Sequence, residues 1–197
     1  MSNKKESLDL TENQFDLAKA SKAIKESGSG IPPVDKWNPD FCGDIDMRIA
    51  RDGRWFYMGT PIGRPAMVKL FSSVLWLEDG KHYLKTPVEK IGIQVDDAPF
   101  LFTAMEVRES ELGPALCFTS STGDEVILGE EHRLWVEQSD ETGEPSPYID
   151  VRFGMKGLIH RNVFYELAAM ADEIEVAEEL TLVINSRGKA FTLGSIA

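Results

Sequence analysis

The sequence predicts an α+β protein made of two related subdomains, each a mainly antiparallel sheet or hairpin set with one packed helix. Three observations lead there. Sliding the chain against itself by 97 residues pairs Phe56 with Phe153, Met58 with Met155, Ile62 with Ile159, Arg64 with Arg161 and Leu70 with Leu167, so that IGRPAMVKLF answers IHRNVFYELA. Runs rich in β-formers follow one another without intervening helices, which favours antiparallel meanders over strand-helix-strand units. In each copy a hairpin pattern leads into a segment with one apolar helical face. The expected divisions are residues 1–30 as an N-terminal helix and linker, 31–97 as the first repeat subdomain and 98–197 as the second.

Taken in order, Thr11-Glu12-Asn13-Gln14 has the capping-box form and starts a helix that Gly28-Ser29-Gly30 ends after about Ser27. Its apolar residues are only Phe15, Ala18, Ala23 and Ile24, so it has little to bury. Ile31-Pro32-Pro33-Val34 is a stiff extended linker. Residues 46–50 and 55–58 flank Arg51-Asp52-Gly53, a tight-turn composition with a glycine free to take positive φ. Pro65 suits the first position of a helix whose face is Met67, Leu70, Phe71, Val74 and Leu75. Strands are expected at 82–86, 91–95, 101–107, 115–119, 125–128, 180–185 and 190–193, with turns at Thr122-Gly123-Asp124 and Ser186-Arg187-Gly188-Lys189. In the second copy, strands at 134–138 and 148–153 flank the polar run SDETGEPSP. Asn162 is the expected N-cap of a helix with Val163, Phe164, Leu167, Met170, Ala171 and Ile174 on its apolar face.

The formal charge of −12 argues against a nucleic-acid binder or an anionic-membrane binder. No apolar run approaches the ~20 residues of a membrane span. Glu6, Asp9 and Glu12 fall where an export signal needs an apolar stretch, so a cytoplasmic protein is expected, with Cys42 and Cys117 as thiols. Residues 108–197 carry −10 of the charge, yet they enclose a basic island of Arg152, Lys156, His160 and Arg161. Arg48, Arg51, Arg54 and Arg64 form its counterpart in the first copy.

Motifs for chemistry are mostly absent: there is no Walker loop, GxSxG elbow, paired CxxC or HExxH, and no metal or cofactor is expected. Asp44 and Asp46 alternate along a strand with Arg48 continuing their face, which suits either acid-base work, with Cys42 or His160 assisting, or a plain ion pair. Arg64 and Arg161 each stand at a helix start, where unpaired N–H groups and a guanidinium together match a phosphate or carboxylate. The alternative is an internal partner for each, such as Asp44, Asp46 or Asp150. If the copies pack face to face, their islands converge in one cleft.

At IPPVDKWNPDFCGDIDMRIARDGRWFYMGTPIGRPAMVKLFSSVL, at YLKTPVEKIGIQVDDAPF and more loosely at YIDVRFGMKGLIHRNVFYEL, the chain resembles the bacterial domain of unknown function 1285 family, over about residues 31–193. The resemblance implies two related subdomains, the C-terminal one superficially pleckstrin-homology-like. It also implies a groove between them suspected of holding a nucleotide-like ligand, a role in signal transduction, and no established reaction. The matching positions expected nearest that groove are Trp37, Asn38, Asp44, Asp46, Arg48, Tyr57, Arg64, Arg152 and Arg161. The leading expectation is therefore a cytoplasmic module that binds a small nucleotide-like or other phosphorylated anion between the two subdomains. The alternatives are an enzyme using Asp44 and Asp46, and a protein-interaction adaptor whose acidic surface at 172–179 meets a basic partner.

Overall fold

A computed structural model of the chain describes residues 22, 24, 30–139, 143–176 and 179–196. The helix expected over 11–27 lies outside them except for Lys22 and Ile24, which are helical. Ile24 is 2% exposed and belongs to the main core.

The first unit begins with a 3-10 turn, Val34–Lys36, and continues through β1 (Phe41–Ile49), β2 (Trp55–Tyr57), β3 (Thr60–Pro61), α1 (Pro65–Ser72), β4 (Leu75–Glu78), β5 (Lys81–Lys85) and β6 (Lys90–Val95). Along β1, Met47 and Ile49 are buried while Asp44 and Asp46 face out, the period-two alternation of a half-covered strand. The β1–β2 turn closes with Gly53 donating its N–H to the Ala50 carbonyl at 2.9 Å, and Gly53 has φ of 80°. Its Cβ position lies 3.0 Å from a methyl carbon of Leu101, so glycine is needed there for approach as well as for φ.

The α1 helix stops at Ser72, short of the expected Val74 and Leu75. The hydroxyls of Ser72 and Ser73 turn back onto the carbonyls of Lys69 and Leu70 at 2.8 and 2.7 Å, satisfying groups that a longer helix would use. Leu75 opens β4 instead.

The second unit adds β7 (Phe100–Arg108), β8 (Ala115–Ser120), β9 (Glu125–Ile127), β10 (Leu134–Gln138), β11 (Pro145–Arg152), β12 (Met155–Ile159), α2 (Arg161–Met170), β13 (Asp172–Val176), β14 (Glu179–Ser186) and β15 (Lys189–Ile196). Asn162 does not cap α2. His160 does, its Nδ1 accepting the Asn162 N–H at 3.2 Å. Ile174, expected on the helix face, lies in β13 and is 42% exposed, because the run Asp-Glu-Ile-Glu-Val alternates with a strand period once Ala171 turns extended.

The first sheet has the order β3-β2-β1-β6-β5-β4, with β1 and β6 parallel and the other neighbours antiparallel. The second has the order β10-β11-β12-β7-β8-β9, again with one parallel pair, β12 with β7. The third is the meander β13-β14-β15. Three strands, one helix and three strands run from β1 to β6, and the same succession runs from β10 to β15. In both copies a short third strand separates the expected hairpin from the helix. It follows a positive-φ pair, Met58-Gly59 in one copy and Phe153-Gly154 in the other. β15 lies along β10 as β6 lies along β1, but β10 and β15 share no ladder hydrogen bonds. Among the described residues, the meander β7-β8-β9 has no counterpart in the first copy.

One apolar core runs through both units, joining Met47, Trp55, Phe71 and Leu84 to Phe102, Phe118, Ile149, Met155 and Leu167. The third sheet enters it through Ile184 and Leu193. Within the first sheet, His82 lies opposite Ile93 and Leu77, and burial holds its imidazole below the usual value of 6.5. Its unfolded state takes up a proton first, so the neutral ring's contribution is complete above about pH 6.5 and is lost as pH falls toward the folded value. The expected result is that urea midpoints drop more between about pH 7.5 and 5.5 for the wild type than for His82→Phe. Parallel slopes for the two proteins would remove His82 as the cause.

Candidate functional site

A cleft of 900 Å³ opens where the two units meet. One wall is the β1–β2 turn with Arg51 and Arg54, and the other is the start of α2 with His160, Arg161, Phe164 and Tyr165. Leu101, Leu158 and the Pro145–Pro147 stretch supply apolar lining. The hairpin tips of the two copies thus approach one another, and Arg51 donates from Nη2 to the Ser146 hydroxyl at 2.8 Å.

Each arginine of the cleft has an acid beside it. Arg51 meets Asp97 at 2.5 Å, Arg54 meets Asp52 at 2.7 Å and Arg161 meets Glu144 at 2.8 Å. The three guanidinium side chains are nevertheless 55%, 67% and 61% exposed, a setting in which an ion pair contributes about 0 to 1 kcal/mol. The backbone N–H and the guanidinium of Arg54 hold the Asp52 carboxyl below its ordinary range. Asp97 differs in being 11% exposed, and it also accepts the Tyr148 hydroxyl at 2.9 Å. Burial, followed by the hydrogen bond it donates to Asp97, pushes that phenol upward.

Of the nine residues expected near a groove, only Arg161 lines this one. Trp37 packs half-buried against the core and Asn38 beside it is exposed. Asp44, Asp46 and Arg48 share the outer face of β1, as expected, but away from the cleft. Arg48 pairs with Asp96 at 3.0 Å and lies 5.0 Å from the centre of the Phe56 ring. The Asp44 carboxylate folds over Gly92, where a Cβ would come within 1.8 Å of its Oδ1. Tyr57 is half-buried against the core. Arg64 is exposed just before α1 and makes no ion pair among the described residues. Arg152 is structural: it pairs with Asp124, donates to the Ser72 carbonyl at 2.8 Å and lies 4.6 Å from the Phe100 ring centre. Arg64 therefore does not join Arg161 in this cleft.

Sequence reasoning missed Arg51, Arg54, His160, Phe164 and Tyr165 as a group. The first two and His160 stood in the basic islands, but a turn and a helix start gave no sign that they would face each other. Among the described residues no three His, Cys, Asp or Glu side chains are grouped to hold a metal ion. Cys42 is exposed and bonds the Asp40 carbonyl, whereas Cys117 is buried and its thiol is pushed upward by that burial.

Family models place this architecture. The model described as the N-terminal domain of DUF1285, a domain of unknown function, matches residues 32–98, and the C-terminal domain model matches 99–193. The chain belongs to the DUF1285 family. A crystal structure of a DUF1285 family protein from Silicibacter pomeroyi DSS-3 shares 46% identity with it, covers 92% of this chain and 96% of its own, and superposes with a TM-score of 0.82. A second DUF1285 structure, from Shewanella baltica OS155, is 30% identical over 61% of this chain and 87% of its own, with a TM-score of 0.48. No curated protein matches the chain. In DUF1285 terms the cleft is bipartite, with Arg51 and Arg54 from the N-terminal domain and His160, Arg161 and Tyr165 from the C-terminal one. No helix among the described residues is long and apolar enough to cross a membrane.

Proposed function

We propose that the cleft between the two units binds a small anionic ligand with an aromatic or apolar body, of the nucleotide type, and that the protein works in the cytoplasm as a ligand-dependent signalling module. The observation that carries this reading is the pairing of Arg51, Arg54 and Arg161 with an apolar lining that includes Phe164 and Tyr165. Rings and proline edges suit a planar body, and guanidinium forks suit phosphate or carboxylate oxygens. Exposed Asp52 and Glu144 are weak competitors, so a polyanion displaces them at small cost. The start of α2 adds N–H groups and the positive end of its dipole. The pleckstrin-homology-like shape ascribed to residues 98–197 enters only as a scaffold, because a fold does not fix its ligand.

In thermal unfolding against a panel of nucleotides and phosphorylated metabolites, at least one compound is expected to raise Tm, by about 2.7 kcal/mol of stabilisation at a hundredfold excess over Kd. Arg161→Ala and Arg51→Ala are expected to remove the shift, and Arg64→Ala to keep it. No shift across a broad panel, or a shift indifferent to Arg161, would sink the reading. Asp44 and Asp46 lie apart from this cleft; Asp44 lines a smaller hollow of 260 Å³ with Lys81, His82 and Tyr83, which is where the enzymatic alternative would have to act.

A further inference from the structure

Away from the cleft, the first sheet holds a lysine in an unusual setting. Lys85, the last residue of β5, is 5% exposed. Its Nζ makes no hydrogen bond or ion pair among the described residues and instead lies 3.9 Å from the centre of the Trp76 ring. It is not among the nitrogens both sealed from solvent and unpartnered, so its tip meets water while its stem is packed. The charged groups around it do not supply a counter-ion in contact. Its cross-strand neighbour is Lys90, a like charge, and the acid nearest to both, Glu78, is held by Lys90 at 3.0 Å and by the Trp76 indole N–H at 3.1 Å. Asp35 on the 3-10 turn acts on Lys85 only at a distance.

The Trp76 ring face and the Glu78 charge favour the ammonium, but burial disfavours it more, and losing the proton relieves that desolvation together with the repulsion from Lys90. A lysine desolvated beside a second cation is the setting in which the free amine becomes a nucleophile near neutral pH. We propose that Lys85 is a modification site, a nucleophilic amine acylated by small acyl phosphates. The neutral Nζ attacks the acyl carbon, the bond from that carbon to the phosphate oxygen breaks, phosphate leaves with the electron pair, and the amine proton passes to water. The product is an uncharged amide lying against Trp76, free of repulsion from Lys90. Burial and Lys90 lower the pKa of Lys85, with Glu78 opposing, which agrees with this reading.

The test is to incubate the full-length protein with acetyl phosphate at neutral pH and quantify acetylation at each lysine by peptide mass spectrometry. Lys85 is expected to be acetylated severalfold above the exposed Lys69 and Lys81. Occupancy at or below theirs overturns the proposal. A second measurement reads the burden of the charge itself. Lys85→Met, which keeps the stem and removes the ammonium, is expected to melt above the wild type, and a lower melting temperature overturns the argument for an unfavourable charge.

Discussion

Replacing Arg152 with alanine is expected to lower stability by about 3 to 5 kcal/mol, the usual cost of removing one member of a buried ion pair. Arg152 and Asp124 are 12% and 11% exposed, so neither charge can turn to water when the other is removed. Asp124 also accepts the hydroxyls of Ser120 and Thr122, a network arranged around an ionised carboxylate. The same guanidinium holds the Ser72 carbonyl at the end of α1, so its loss loosens a seam between units as well as stranding a charge. For a domain of this size the melting temperature should fall by roughly 6 to 20 °C. Arg64→Ala, at an exposed arginine of the first unit, should stay within about 0.5 kcal/mol. Replacing Arg152 and Asp124 together by Met and Leu should recover most of the loss, because no charge is then left unpaired. A small effect of Arg152→Ala in urea denaturation would show that Asp124 finds water or another cation.

Gly157→Ala is expected to cost about 1 to 3 kcal/mol, although it adds a single methyl group. A Cβ at residue 157 would stand 2.3 Å from Cε2 and 2.7 Å from Cδ2 of Phe102, and 3.2 Å from a methyl of Val151. Phe102 is fully buried at the parallel junction of β12 and β7, so the ring has no free direction in which to move. Phe102→Leu should partly rescue Gly157→Ala, and the two changes together should cost less than their sum. Strict additivity in chemical denaturation would mean that the ring and the glycine do not share the space.

The strands were legible because their alternation is local. Most expected strands agree with those observed to within a few residues, and Gly53, Gly123 and Gly188 mark turns where the composition placed them. Both helices were drawn too long for one reason: apolar spacing continues across a helix end, whereas Ser72, Ser73 and the backbone of Ala171 stop the helix through hydrogen bonds and dihedrals that spacing does not encode. The repeat was read correctly around the helices and incorrectly before them. Met58 occupies a positive-φ turn while Met155 opens β12, so those two methionines match in sequence without matching in place. The site was the least legible part. Arg161 reached the cleft, but its companions Arg51 and Arg54 come from a turn some hundred residues earlier, which the packing of Gly53 on Leu101 and the Arg51–Ser146 bond bring across.

The two copies of the six-strand pattern are fastened differently. Where β1 and β6 are zipped into one ladder, β10 and β15 lie side by side without bonds. Among the described residues, the bonds from the last meander to the body gather at its β14–β15 turn, where the Ser186 hydroxyl accepts the Leu116 N–H and donates to the Leu128 carbonyl, and Arg187 N–H reaches the Pro114 carbonyl. Among the described residues, hydrogen bonds therefore peg the final meander at one corner, while the buried Ile184 and Leu193 hold it by packing. Lifting the described remainder ruptures no inter-sheet ladder but must pull Ile184 and Leu193 out of the apolar core, so its amides are expected to exchange through a sub-global opening governed by packing rather than by hydrogen bonds.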